Sequence, residues 1–109
     1  MTEARLATGI WVAALRQRLE AAAIPFYVLA RGDAVAGAVM LIAAGGDGRA
    51  TLWAREYDLD ADSRIWRVVA QDDEAAITAA ARRQRGFDPD LWLIEVECGD
   101  PGPLLDELR

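Results

Sequence analysis

Four consecutive residues near the middle, Gly45-Gly46-Asp47-Gly48, constrain this chain more than any others. They separate two apolar stretches. Glycine reaches positive φ without steric penalty and aspartate suits tight turns, so the segment reads as a hairpin loop. The strands it joins are then Ala36 to Ala44 and Arg49 to Tyr57. The second alternates cleanly: Ala50, Leu52 and Ala54 face one way, and Thr51, Trp53, Arg55 and Tyr57 the other. The first is apolar on both faces and reads as a central strand.

The flanking segments follow from periodicity. Trp11, Leu15, Leu19 and Ala22, with Val12 beside them, recur at helical spacing and predict a helix over Thr8 to Ala23. Thr8 is placed to cap it, and Arg16 with Glu20 form an i,i+4 ion pair. Pro25 ends it by forcing Ile24 toward extended geometry. Phe26 to Ala30 is a first strand, followed by a turn at Arg31-Gly32-Asp33 whose glycine is expected at positive φ. Asp58 to Asp62 is an acidic loop, and Ile65 to Ala70 a fourth strand. Asp72-Asp73-Glu74 suits the positive end of a second helix with a narrow stripe of Ala76, Ile77, Ala80 and Ala81. Arg82, Arg83 and Arg85 fall in its last turn, with Gly86 as the expected left-handed terminator. Phe87 to Asp90 turns the chain, Leu91 to Val96 is a fifth strand, and Leu104 to Leu108 suits one short helical turn.

These elements predict one α+β domain over residues 1–109, ordered α-β-β-β-β-α-β. Connectivity rules suggest a mainly antiparallel five-stranded sheet of order 5-1-2-3-4 with both helices on one face. On that reading Trp92 is core. Trp53, Arg55 and Tyr57 lie on the uncovered side, joined by Ile65, Arg67 and Val69.

Composition narrows the chemistry. The 109 residues include no histidine, lysine or asparagine, and Ser63 is the only serine. Imidazole metal sites, serine–histidine triads, Schiff-base lysines and Walker loops therefore cannot be assembled from one chain. Acid–base work would fall to carboxylates, Tyr27, Tyr57 or Cys98, which lowers the case for an enzyme; no cofactor or metal is expected. The net charge of −6 opposes binding to nucleic acid or anionic membrane. A lone Cys98 fits a reducing compartment. Met1 to Arg5 lacks a leader-like pattern, and the longest apolar run, Ala34 to Ala44, is too short to span a bilayer. A cytoplasmic protein is the expectation.

Three runs carry a family resemblance: Arg5-Leu6-Ala7-Thr8-Gly9-Ile10-Trp11-Val12, then Arg31-Gly32-Asp33 with Ala36-Gly37-Ala38-Val39, and above all Ala81 through Trp92. The chain resembles a bacterial domain-of-unknown-function family of short proteins, numbered 1491. The resemblance covers nearly the whole chain. It implies a bacterial cytoplasmic protein and supplies no activity or catalytic residues.

Each candidate site has a plainer structural reading. Arg31-Gly32-Asp33 matches an adhesion triplet but reads as a turn. Arg82, Arg83 and Arg85 could grip a phosphate or carboxylate, or complement a helix C-terminus at about 0.3–1 kcal/mol each, with Asp88 and Asp90 placed to neutralise them. Glu95 and Glu97 share a strand face and read as solvent-side alternation. Asp58, Asp60 and Asp62 lack the glycine and glutamate of a calcium loop. Cys98 sits beside Glu97 and Asp100, which oppose thiolate formation.

Two functions follow as expectations. The first is a non-catalytic protein-interaction module, homodimeric or bound to another protein, using Trp53, Arg55, Tyr57 and Arg67. The second is an anion- or nucleotide-binding regulatory protein or enzyme subunit using Arg82, Arg83 and Arg85. Single-stranded nucleic acid stacking on Trp53 and Tyr57 is a weaker third. The C-terminal tail, through Leu104, Leu105 and Leu108, is the alternative cover for the Trp53 side.

Overall fold

A computed structural model describes residues 6–107. Met1 to Arg5, the segment read for a leader, and Leu108 of the tail lie outside the described residues. The elements are α1 (Thr8–Ala21), β1 (Phe26–Ala30), β2 (Val39–Ala44), β3 (Arg49–Asp58), β4 (Ser63–Asp73), α2 (Glu74–Phe87), β5 (Trp92–Val96) and α3 (Gly102–Glu107). The fold is α+β, as the sequence predicts, and three of the four strand pairings are antiparallel. Gly46 and Gly48 take φ of 86° and 83° in the β2–β3 loop, which explains the glycines there.

The sheet order is β1-β5-β2-β3-β4, so β1 and β5 exchange the places expected of them. β5 runs parallel to β2 and antiparallel to β1. Burial explains the exchange. β5 reads Trp-Leu-Ile-Glu-Val, and all but Glu95 are buried, whereas Tyr27 and Val28 of β1 are exposed. The strand buried on both faces takes the interior position, and the one whose Tyr27 and Val28 stay exposed takes the edge. Adjacency in sequence gives way to burial.

The helices also depart from expectation, since they lie on opposite faces of the sheet. Trp11, Val12, Leu15 and Leu19 of α1 pack with Leu41, Ala43, Ile94 and Val96, and Leu105 of α3 joins them. Ile77 and Ala81 of α2 pack with Ile42, Ala44, Ala50, Leu52 and Leu93 on the other side. The reason is again the two-sided apolar character of β2 and β5. A sheet whose central strands are apolar on both faces needs cover on both.

A bulge sets the face of every residue in the outer half of β4. Leu52 pairs with Ala70, but Trp53 pairs with Val68, leaving Val69 as the extra residue. Beyond it Arg55 opposes Trp66 and Tyr57 opposes Arg64. Arg67, opposite Ala54, therefore falls on the α2 side and not beside Trp53 as expected. Past Met40, which pairs with Ala54, β3 and β4 run on without β2 as a projecting arm.

Local details correct several cap assignments. Ala7, not Thr8, is the N-cap of α1. The Thr8 hydroxyl instead donates to the Gly37 carbonyl at 2.8 Å, while the Gly9 N–H donates to Ala34 O at 2.8 Å. Asp73 caps α2 by accepting from Ala76 N at 2.8 Å. That helix continues through Gly86 to Phe87, so Gly86 does not terminate it. Gly32 has ordinary φ; its need is space, because a Cβ there would collide with the Asp90 carbonyl.

Candidate functional site

The face expected to be bare is the one that α1 and α3 cover. Trp53 is half-buried and packs against the α1-side core, with Gly102 of α3 close over its ring. The tail thus seals this side with Leu104 and Leu105, as the alternative reading supposed. Arg55 lays its guanidinium over Trp11, 4.5 Å from the ring centroid, and Tyr57 stays 46% exposed. Arg67 is apart from these three. On the opposite face it pairs with Glu56 at 3.1 Å and Asp58 at 3.8 Å.

Two concavities flank the root of the β3–β4 arm. They meet where β2 begins, sharing Ala38, Val39 and Arg55. The first, about 270 Å³, lies on the α1 side and is lined by Ala36, Ala38, Val39, Arg55, Tyr57 and Arg64. The second, about 490 Å³, lies on the α2 side, because α2 stops short of covering the arm. Its floor includes Met40, Leu52, Ala54, Val69 and Ala80, and Glu56, Arg83 and Asp88 stand on its rim. Val69 of the edge strand β4, one of its lining residues, remains 45% exposed.

Arg82, Arg83 and Arg85 have different neighbours. Arg83 lines the larger groove, while Arg82 is exposed and lines neither concavity. Arg85 reaches back so that its Nη2 donates to Arg31 O at 3.0 Å. Asp88 forms no ion pair with them among the described residues; its carboxylate accepts from Asp90 N at 3.1 Å.

The Arg31-Gly32-Asp33 segment is a structural knot. Asp33 accepts from Ala36 N at 2.7 Å, its own N–H donates to Asp90 O at 3.0 Å, and its carbonyl receives Trp92 Nε1 at 2.8 Å. Asp58 accepts from Asp60 N at 2.9 Å, and Asp62 accepts from the Tyr57 hydroxyl. Among the described residues no group of three or more His, Cys, Asp or Glu is arranged to hold a metal ion. Cys98 is half-buried against the α1-side core.

An acidic patch sits where β1 and β5 meet the start of α2. Burial, then the Glu74 and Glu97 carboxylates, push the Glu95 carboxyl above its ordinary range. Tyr27 donates its hydroxyl to Glu97 at 3.3 Å, and the Glu97 charge raises the phenol above its usual value.

The family model described as "Protein of unknown function (DUF1491)" matches residues 6–106. The chain belongs to the DUF1491 family. It is similar to the crystal structure of a DUF1491 protein from Caulobacter crescentus CB15, at 35% identity over 88% of this chain and 92% of that one, with a TM-score of 0.80. The solution structure of protein Atu0922 from A. tumefaciens shares 32% identity over 94% and 93% of the two chains, at a TM-score of 0.78. An NMR structure of a C. crescentus DUF1491 protein gives 36% identity, 90% of both chains and a TM-score of 0.77. No curated protein matches the chain. Within this DUF1491 domain, sequence reasoning missed Arg64. Its position depends on the bulge at Val69, which nothing in the local sequence announces.

Proposed function

We propose that this DUF1491 chain, as a single domain, is a non-catalytic interaction module that pairs with a second copy of itself through the α2 side of the β3–β4 arm. The larger groove carries this reading. Its floor is apolar, and its rim holds Arg83 alongside Glu56 and Asp88. A rim with both signs is self-complementary under a twofold axis: Arg83 of one copy faces an acid of the other, and symmetry repeats the contact. The edge strand β4, with Val69 exposed, adds a sheet edge beside the groove. The absence of histidine and lysine supports a non-catalytic role. We place the protein in a bacterial cytoplasm, because its relatives come from C. crescentus and A. tumefaciens and its single cysteine suits a reducing compartment.

Light scattering over a concentration series tests the proposal. The wild type should approach twice the 11.9 kDa chain mass as concentration rises, and Val69→Glu should remain at the single-chain mass. A wild type of single-chain mass at every concentration contradicts it.

A further inference from the structure

β4 forms one end of the sheet, and among the described residues it pairs with β3 alone. An edge strand presents N–H and C=O groups that a further strand can take up. From Arg67 to Asp73 every residue but Ala70 is exposed. Charge is divided along this strand. Arg64 and Arg67 precede the bulge at Val69, and Asp72 and Asp73 follow it. A strand that is basic at one end and acidic at the other complements itself when two copies run antiparallel. Pairing the outer halves alone would gather the β4 arginines, and pairing the inner halves alone the aspartates. Like charges oppose both, so the favoured pairing joins opposite ends.

The bulge then fixes the register. In antiparallel pairing, directly opposed residues share a sheet face. Arg67 opposes Ala54 and Asp72 opposes Ala50, which places both on the α2 side. Val68 opposes Trp53 and Gln71 opposes Thr51, which places both on the α1 side. Val69 and Ala70 both line the α2-side groove. An unbroken strand turns residues five apart, such as Arg67 and Asp72, to opposite faces; the extra residue brings them to one. A twofold axis between Val69 and Ala70 therefore sets Arg67 against the other copy's Asp72, Val68 against Gln71 and Val69 against Ala70. Every pair lies on a common face. Moving the axis by half a residue or by a whole one sets residues of opposite faces against each other.

We propose that two copies of this chain join β4 to β4 about that axis, making one sheet continuous across the pair. The proposal rests on self-association through the α2 side and names its strand and register. Val69 and Ala70 meet their counterparts at the centre, so the two grooves run together into one apolar floor. Arg67 already lies beside Glu56 and Asp58, and its guanidinium has further N–H donors for the other copy's Asp72. The twofold repeats that ion pair, so each charge acts twice. The bulge also selects the partner. A bulged edge misfits a regular strand and blunts unwanted pairing, whereas a second copy brings the matching extra residue at the same place.

Light scattering of the full chain tests the pairing with Arg67→Glu and Asp72→Arg, each alone and the two mixed. Either variant alone sets like charges together at both contacts and should weaken self-association at least about tenfold. An equal mixture restores opposite charges at both contacts and should associate as the wild type does. Where a charge variant fails to fold, cysteines beside the axis provide the test. Oxidation should link Val68→Cys chains to Gln71→Cys chains, both carrying Cys98→Ser, faster than either links to itself. Suppose the wild type associates. Single charge variants that associate as tightly, a mixture that stays dissociated, or cysteine variants that link no faster together than alone would then overturn the β4 pairing and leave association through the groove standing. A wild type of single-chain mass at every concentration, its edge left to a strand of another protein, overturns both.

Discussion

The two faces of the sheet are covered to different extents. On the α1 side the helix buries Trp11, Val12, Leu15 and Leu19 against a sheet face that carries Trp66, Trp92 and the half-buried Trp53, and α3 closes the remainder through Leu105. On the α2 side the helix buries only Ile77 and Ala81. A stripe of alanines lets a helix approach the sheet closely but covers little of it. The outer arm of β3 and β4 is left open there, and a groove results. Side-chain size along a helix stripe thus decides whether a sheet face is sealed or left as a surface.

Substitutions that break the sealed side should have the largest effects. Trp92 is 3% exposed, bonded through its indole N–H to Asp33 O, and overlaid by Arg31 at 5.3 Å. Trp92→Ala should cost about 3–5 kcal/mol, a large part of the stability of a small domain, measured by urea denaturation. A cost no greater than that of a helix-cap substitution would show that the α1 side is not the main core. Leu105→Ala should cost about 2–5 kcal/mol and shift the Trp53 indole resonance, because α3 is the lid over that ring. An unmoved Trp53 signal would break the claim that the tail seals this face.

Changes on the α2 side should be milder. Asp73→Ala removes the cap bond to Ala76 N and should lower stability by about 1 kcal/mol. A loss as large as that from Trp92→Ala would mean that α2 carries more of the fold than its two buried residues suggest. The smallest effect concerns Glu95. Its carboxyl is held above the ordinary range, so the folded chain binds that proton more tightly than the unfolded chain. The stabilising contribution is complete below the ordinary glutamate value and is lost as pH rises through the raised one. Glu95→Gln should therefore raise the melting temperature slightly at neutral pH and leave it unchanged in acid below that value. A lowered melting temperature at neutral pH would show that the Glu95 charge is stabilising after all.

Much of this architecture can be read from local sequence. The β2–β3 hairpin, the stripe of α1 and the acidic start of α2 each rest on residues adjacent in the chain. Strand order does not, because placing β5 inside β1 depends on comparing the burial of Leu93 and Ile94 with that of Tyr27 and Val28. The sequence alone does not make that comparison, since Phe26 to Ala30 is wholly apolar or aromatic while Leu91 to Val96 carries Glu95. The opposite placement of the helices follows once β2 and β5 are both recognised as two-sided. The sites are harder. A single bulged residue, Val69, exchanges the faces of everything beyond it on β4. It removes Arg67 from the company of Trp53 and brings Arg64 to Arg55. Without the bulge, alternation alone groups Trp53, Arg55, Arg67 and Val69, a set the structure divides.

The most direct test of the open α2 side is amide hydrogen exchange at low and high protein concentration. Exchange along β4 from Arg67 to Ala70, the edge beside the groove, should slow as concentration rises, while α1 and α3 exchange at the same rate throughout. Protection that is independent of concentration, or that appears on α1 and α3 instead, would contradict pairing through this face.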